Sequence, residues 1–248
     1  MTLCIIPARL DSTRFPNKVI TPIAGRELIL KVIDTCLSCD RFKRIVVLAQ
    51  DQKICDIVLK EFNDKVDARL HKIGESGTHR ALDYYYNNEK KRQSVMVVQA
   101  DNIDLTARDL ETVIFHANSI NDKSVYTPVC KMNVADACSP SNVKAVIGYM
   151  SNILYFSRSC IPHDSQNHWK HIGVYMFPRL LLDDLSFMTY ALNDIFNNCN
   201  LVKTEKLEQL AWLYYGFSMR AVTLNGYRHS IDTPQDMKSF VKDVYSKQ

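Results

Sequence analysis

Seven glycines in 248 residues leave little material for a backbone cradle, and both glycine-built nucleotide signatures are missing. No G-x-G-x-x-G and no G-x-x-x-x-G-K-[ST] occurs anywhere in the chain. Any phosphate bound here must be held largely by side chains. No stretch approaches the roughly 18 apolar residues that a membrane span requires. The first residues also lack the cationic and apolar regions of a signal peptide, so a cytoplasmic protein with no membrane span is expected. Internal repeats, low-complexity tracts and linkers rich in Gly, Ser and Pro are absent too, and one domain over 1–248 is the expectation. The charge excess is small, +4 from 31 basic and 27 acidic residues. That balance argues against nucleic acid as a partner and for a local anion site.

What is present is a core and a basic loop. Hydrophobic residues make up 46% of the chain, ample for a sizeable core. Eight cysteines are scattered through strand-like and helix-like segments, and in a reducing compartment they read as thiols packed as small hydrophobes. Cys36-Leu-Ser-Cys39 is a lone C-x-x-C with no second pair and no nearby His. The stretch from Ile5 to Lys18 stands out. The apolar run Leu3-Cys4-Ile5-Ile6 reads as a buried first strand that empties at Pro7 into a loop carrying Arg9, Arg14 and Lys18. Ser12 and Thr13 add hydroxyls, and Pro7 and Pro16 stiffen the loop. Arg offers a planar fork to phosphate oxygens and Lys a compact point charge, which suits a polyphosphate. A solvated basic loop has the same composition. Position favours the ligand, because open α/β sheets bind ligands beyond the carboxyl ends of their strands.

Helical spacing of Leu28, Ile29, Val32, Ile33 and Leu37 follows the loop, then a second buried strand over Arg44–Ala49. Helix over 54–62, a weak strand over 66–70, helix over 78–87 and a strand over Ser94–Asp101 complete the first half. Strands alternating with helices predict right-handed crossovers and a Rossmann-like parallel sheet with helices on both faces. The second half changes character. Short strand-like runs at 125–130, 143–147, 153–156 and 171–177 suggest antiparallel additions or a protruding β layer. A short helix over 180–185, a helix over 205–215 and a strand over 219–223 come next. Thr233-Pro-Gln-Asp236 has the form of a helix start, and that helix is predicted to run to about Ser246.

Asp101 at the end of its strand and Asp232 just before the last helix can converge on one edge of the sheet, and Mg2+ bridging phosphates needs only one or two carboxylates. Asp is equally at home after a strand or near a helix start for reasons of turn geometry and macrodipole. In His171-Ile-Gly-Val-Tyr175 the period of a strand puts the imidazole and the phenol on one face, where they could meet a sugar or simply form a core pair. Arg158 can fork onto a carboxylate, and Glu208 and Gln209 can reach sugar hydroxyls from the exposed side of their helix. The set His163, His168 and His171 matches no common zinc spacing.

Taken together, Ile6-Pro-Ala-Arg-Leu-Asp-Ser-Thr-Arg-Phe-Pro-Asn-Lys18, Glu75-Ser-Gly-Thr-His-Arg80, Val98-Gln-Ala-Asp101, Asn142-Val-Lys-Ala-Val146, Leu154–Pro162, His171–Tyr175, Leu207-Glu-Gln-Leu210 and Ile231–Asp236 resemble, in order, the motifs of the CMP-KDO synthetases (3-deoxy-manno-octulosonate cytidylyltransferases). The resemblance spans nearly the whole chain. It implies the three-layer nucleotide-diphospho-sugar transferase fold, mostly parallel with added antiparallel β elements, and a homodimer with a β-rich dimerisation and sugar-binding portion around 125–177. It implies a transferase that joins CTP to an acidic eight-carbon sugar for lipopolysaccharide synthesis, with Mg2+ as cofactor. Residue by residue, Arg9, Arg14 and Lys18 would hold the triphosphate, with Ala8, Ser76 and Gly77 lining the nucleotide pocket. Asp101 and Asp232 would bind metal and, with Arg9 and Lys18, make up the catalytic group. Gln99, Arg158, His171, Tyr175, Glu208 and Gln209 would face the sugar.

The chain departs from the family where VQGDEP reads Gln99-Ala-Asp-Asn-Ile103, where SGTER carries His79, where Gly148 replaces an Asp, and in a short segment between Pro162 and His171. These departures bear on sugar identity. They point to a modified acid such as 8-amino-KDO as the alternative substrate, with a non-catalytic nucleotide-binding homologue as a third reading.

Overall fold

Strand β1 (Thr2–Ala8) is buried along its whole length, as befits a parallel strand covered on both faces. In the computed structural model, which describes residues 2–74, 76–90, 92–120, 122–185 and 198–245, β1 is followed by a two-strand ribbon, β2 (Pro22–Ile23) and β3 (Arg26–Glu27), and by helix α1 (Leu28–Leu37). Next come β4 (Phe42–Ala49), α2 (Gln52–Phe62), β5 (Asp67–Leu70), α3 (Gly77–Asn88), β6 (Ser94–Val98) and α4 (Ala107–Ile120). β1 lies between β4 and β6, parallel to both, and β5 extends the parallel set beyond β4. Alternate residues of β1 feed two cores. Cys4, Ile6 and Ala8 pack with α1, α2 and α4, while Leu3 and Ile5 pack with α3 on the other face. The result is the expected three-layer α/β arrangement.

The second half supplies β7 (Val125–Met132), a short helix Val134–Cys138, β8 (Lys144–Ile147), β9 (Ile153–Ser157), β10 (His168–His171), β11 (Val174–Phe177), helices Arg179–Leu185, Asn200–Glu205 and Leu210–Tyr214, β12 (Met219–Leu224) and a final helix Pro234–Tyr245. β12 is parallel to β7, whereas β10, β11, β8 and β9 are added antiparallel. Antiparallel additions are therefore present as expected. The single strand expected over 171–177 is instead two, β10 and β11, separated by Ile172-Gly173. Both run along β7, and each has a different neighbour on its far side: β8 for β10, β6 for β11. Thr127 of β7 staples the break, since its hydroxyl bonds the carbonyl oxygens of Val174 at 2.7 Å and Ile172 at 3.3 Å.

Other boundaries move for local reasons. The strand expected to reach Asp101 ends at Val98, because Gln99–Asp101 turn: Asn102 N–H donates to Gln99 O and Ile103 N–H to Asp101 O. The helix expected over 205–215 begins only at Leu210. Lys206 adopts a left-handed conformation (φ 55°) that ends the preceding helix, so Glu208 and Gln209 lie on a turn between two helices. α4 and the helices Val134–Cys138 and Asn200–Glu205 were not anticipated. The last helix is capped as predicted: Thr233 Oγ1 accepts from Asp236 N–H, and Asp236 accepts in return from the Thr233 and Asp232 amides. Glu75 and the predicted endpoint Ser246 lie outside the described residues. Cys36 and Cys39 pack into the core, where burial pushes the Cys39 thiol up to about 11.

Candidate active site

The loop after β1 is folded tightly. Leu10 O accepts from the amides of Ser12 and Asn17, and Asn17 takes a left-handed turn (φ 58°) that swings Lys18 inward. Arg9 and Arg14 remain exposed while Lys18 is buried. Its ammonium lies 2.9 Å from Asp101 Oδ2 and 3.1 Å from Asp232 Oδ1, and Arg14 also reaches Asp232 Oδ1 at 3.1 Å. The two aspartates, 131 positions apart in sequence, are brought together by a backbone bond from Ile231 N–H to Asp101 O. Burial works against the Lys18 charge, but Asp101 and Asp232 outweigh it and hold the ammonium's pKa above its ordinary value.

Gln99 stands at the centre. Its Nε2 donates to Glu208 Oε1 at 2.7 Å, and the same carboxylate accepts from Thr78 N–H at 3.0 Å and Thr78 Oγ1 at 2.8 Å. Glu208 thus closes the N-terminus of α3, where an anion is favoured; three acceptor directions are used within the protein, and the side chain still lines two compartments of the cleft. Two glycines flank Gln99. A Cβ at Gly77 would come within 2.8 Å of Gln99 Oε1, and one at Gly173 within 3.0 Å of Gln99 Cγ. A side chain at either position would crowd Gln99, which glycine leaves in place.

His171 and Tyr175 do share a face despite the strand break, with ring centroids 5.5 Å apart. A single directional hydrogen-bond chain satisfies them: Tyr175 Oη donates to Gln209 Oε1 (3.3 Å), Gln209 Nε2 to His171 Nδ1 (3.4 Å), and His171 Nε2 to Thr127 Oγ1 (2.9 Å). Thr127 must donate to Val174 O, so this assignment fixes the imidazole tautomer. Burial lowers the His171 pKa to about 3. The ring is therefore neutral and offers a sugar carboxylate no charge.

That depressed pKa sets a pH dependence. The unfolded chain takes up a proton on His171 near pH 6.5, whereas the folded one does so only near 3. Stability from this group is complete above pH 6.5 and is lost as the pH falls from there toward 3. Urea unfolding of the wild type and of His171→Gln between pH 7 and 4 should show a flatter slope for the variant, by about one proton. Parallel slopes would place the acid sensitivity elsewhere.

Arg158 is placed by Glu205, which accepts from its backbone N–H at 3.0 Å, and its guanidinium donates to Pro140 O at 2.9 Å. Burial, and then Arg14, lower its pKa. Among residues not singled out from sequence, Arg80 matters most. It is 2% exposed, its Nε has no partner among the described residues, and burial and then Arg9 push its pKa down. Lys170 and Lys206 are further cations of the cleft. The only sequence signal for Arg80 was its place in the Ser-Gly-Thr-His-Arg80 motif.

These side chains line one cleft with three compartments. Arg9, Ser76, Gly77, Arg80, Val202 and Lys206 bound the first, of about 320 Å3. Arg9, Ser12, Thr13, Arg14, Lys18, Asp101 and Asp232 bound the second, of about 200 Å3. Arg14, Asp101, Ser141, Arg158, Lys170, His171, Tyr175, Gln209 and Asp232 bound the third, of about 190 Å3. Gln99 lines all three. Ala8, just inside the strand end, lines none of them. Asn102 is 3% exposed and spends its amide N–H groups on Gln99 O and Gly173 O. Of the short segment between Pro162 and His171, Lys170 lines the third compartment beside His171, while residues 163–169 line none of the three.

Residues 3–224 match the family described as Cytidylyltransferase. The chain belongs to the cytidylyltransferase family. Among its relatives, the 3-deoxy-manno-octulosonate cytidylyltransferase of Blochmanniella floridana is 31% identical over 95% of each chain. The enzyme of the same name from Flavobacterium johnsoniae is 28% identical over 98% of this chain and 99% of its own. The solved structure of CMP:2-keto-3-deoxy-manno-octonic acid synthetase complexed with CTP superposes with a TM-score of 0.82 at 25% identity, covering 100% of this chain and 99% of that one. As in other cytidylyltransferases, a nucleotide must meet a second substrate here, and a cleft of linked compartments suits that requirement. The donor set also suits one metal. Asp101 and Asp232 each aim an oxygen at the Lys18 ammonium, and no group of three or more His, Cys, Asp or Glu capable of holding a metal occurs among the described residues. Two carboxylates match a hard cation that keeps waters and takes phosphate oxygens, as Mg2+ does.

Proposed function

We propose that this chain transfers the cytidylyl group of CTP to a 3-deoxy-octulosonic acid of the KDO class, forming the CMP-sugar and pyrophosphate, as a step toward lipopolysaccharide. The observation that carries the reading is the junction of the cleft. Two carboxylates, one buried lysine and Arg14 meet between a compartment of nucleoside size and a compartment lined by Arg158 and Lys170.

In this scheme Ser76, Gly77 and Arg80 line the nucleoside compartment, and Arg9, Arg14 and Lys18 bind the triphosphate by charge-assisted hydrogen bonds. Asp101 and Asp232 would hold Mg2+, which when bound neutralises charge on the phosphate oxygens. Gln99, fixed by Glu208 and two glycines, orients the acceptor against the nucleotide, while Arg158 meets its carboxylate. The anomeric hydroxyl forms a bond to the α-phosphorus as the bond to the β-phosphate breaks, pyrophosphate leaves, and the hydroxyl proton passes to solvent. Positioning and charge neutralisation suffice, with no protein nucleophile. His171 and Tyr175 act through shape and Gln209 rather than as charges.

The test is purified protein with CTP, Mg2+ and a panel of ulosonic acids including KDO and 8-amino-KDO, read by pyrophosphate release. Release that requires both CTP and an ulosonic acid is expected, and nucleotide binding with no release under any pairing would remove the activity. Sparse surface cover over β9, with Tyr149, Met150 and Leu154 exposed beside an edge strand, supports a homodimer built on that side. A monomeric mass by light scattering at micromolar concentration would count against it.

A further inference from the structure

Lys144 on β8 and Lys170 on β10 are paired directly across the two strands, and both are buried, at 0% and 3% exposure. Like charges opposite one another destabilise a sheet, and burial adds a desolvation cost that a carboxylate partner normally offsets. Neither lysine has a carboxylate within ion-pair distance among the described residues. Lys144 is instead saturated by carbonyls: its three N–H groups reach Ser139 O at 3.1 Å, Asn142 O at 2.7 Å and Arg158 O at 2.6 Å. A leucine or methionine would fill such a site at lower cost, so the charge calls for a reason.

The carbonyls belong to two segments, which this ammonium joins together with one further hydrogen bond. One is the loop 139–142, whose Ser141 lines the third compartment; the other is the end of β9, which carries Arg158. Arg158 closes the ring by donating to Pro140 O at 2.9 Å. Lys144 itself lines none of the compartments. We propose that Lys144 is a positioning residue for the acid-binding side of the cleft, an internal ammonium hub that sets Arg158 and the 139–142 loop before the sugar acid arrives. The proposal rests on the assignment of the third compartment to the sugar acid.

Lys144→Met keeps the length and removes the donors. The KM for the sugar acid should rise about tenfold or more while the KM for CTP stays within about twofold, since only the acid-binding wall has lost its anchor. In an Arg158→Ala background the same substitution should then have little further effect, because it acts through Arg158. An unchanged sugar KM, a parallel rise in both KM values, or full additivity with Arg158→Ala overturns the proposal. Should Lys144→Met not fold, Lys144→Ala is assayed with and without n-propylammonium, with n-propanol as the neutral control. Recovery of the sugar KM by the ammonium alone supports the hub, and equal effects of the two compounds overturn it. Turnover by the wild type in the same assay reports separately on whether the compartment takes an ulosonic acid at all.

Discussion

Asp101→Asn is expected to lower turnover by about 10²–10³-fold with the fold intact, the range found when one preorganised electrostatic contact to a reacting centre is removed. The change is isosteric and the side chain is 30% exposed, so packing is hardly touched. The backbone of Asp101 continues to accept from Ile231 N–H, which keeps the 231–232 segment in place. What is lost is one negative charge facing Lys18 and, in the proposed reaction, one of the two metal carboxylates. The Mg2+ concentration needed for half-maximal rate should rise in step. Pyrophosphate release across a Mg2+ titration, with thermal unfolding as the control for folding, reads both. Turnover within tenfold of wild type at saturating Mg2+ would take Asp101 out of the mechanism.

Lys18→Met should divide two properties that are normally expected to fall together. Turnover should drop by about 10²-fold, because a buried ammonium that in the proposed reaction meets the triphosphate is replaced by a thioether. Divalent-cation binding in the absence of nucleotide should strengthen. The ammonium sits 2.9 Å and 3.1 Å from oxygens of Asp101 and Asp232 and competes with any cation for them, and its removal leaves two carboxylates facing each other with only Arg14 on Asp232. Calorimetric titration with Mn2+ and a turnover assay on the same preparation decide it. Weaker metal binding alongside lost turnover would mean that Lys18 helps to build the metal site rather than contest it.

The parallel half of the fold was legible because its signals are local and periodic. Buried runs such as Leu3–Ile6 and Val95–Val98 alternate with helical spacing such as that of Leu28, Ile29, Val32 and Ile33, and each pattern needs no knowledge of its partners. The cap at Thr233 and Asp236 was legible for the same reason. α4 was equally legible, with Thr106 and Asp109 bonded as a capping box ahead of Leu110, Val113, Ile114 and Ala117 at unbroken helical spacing. Contacts distant in sequence were not legible. The 171–177 strand is interrupted at Ile172-Gly173, where Thr127 of a distant strand takes the carbonyls of Ile172 and Val174, and Lys206 breaks the 205–215 helix by a backbone angle that periodicity does not encode. The convergence of Asp101 and Asp232 was legible from their places at a strand end and a helix start, while the bonds of Lys18 to both, of Glu208 to Thr78 and of Asn102 to backbone carbonyls join residues that no local pattern links.

Gln99 touches every compartment of the cleft and is wedged between Gly77 and Gly173. A residue in that position cannot be altered for one ligand without disturbing the others, so natural variation or engineering that seeks a new acceptor has to pass it by. The positions free to change are those that border the third compartment alone, such as Ser141, Val143 and Ser230. The cleft therefore has a fixed centre and a replaceable wall, and a change of acceptor should be written on the wall.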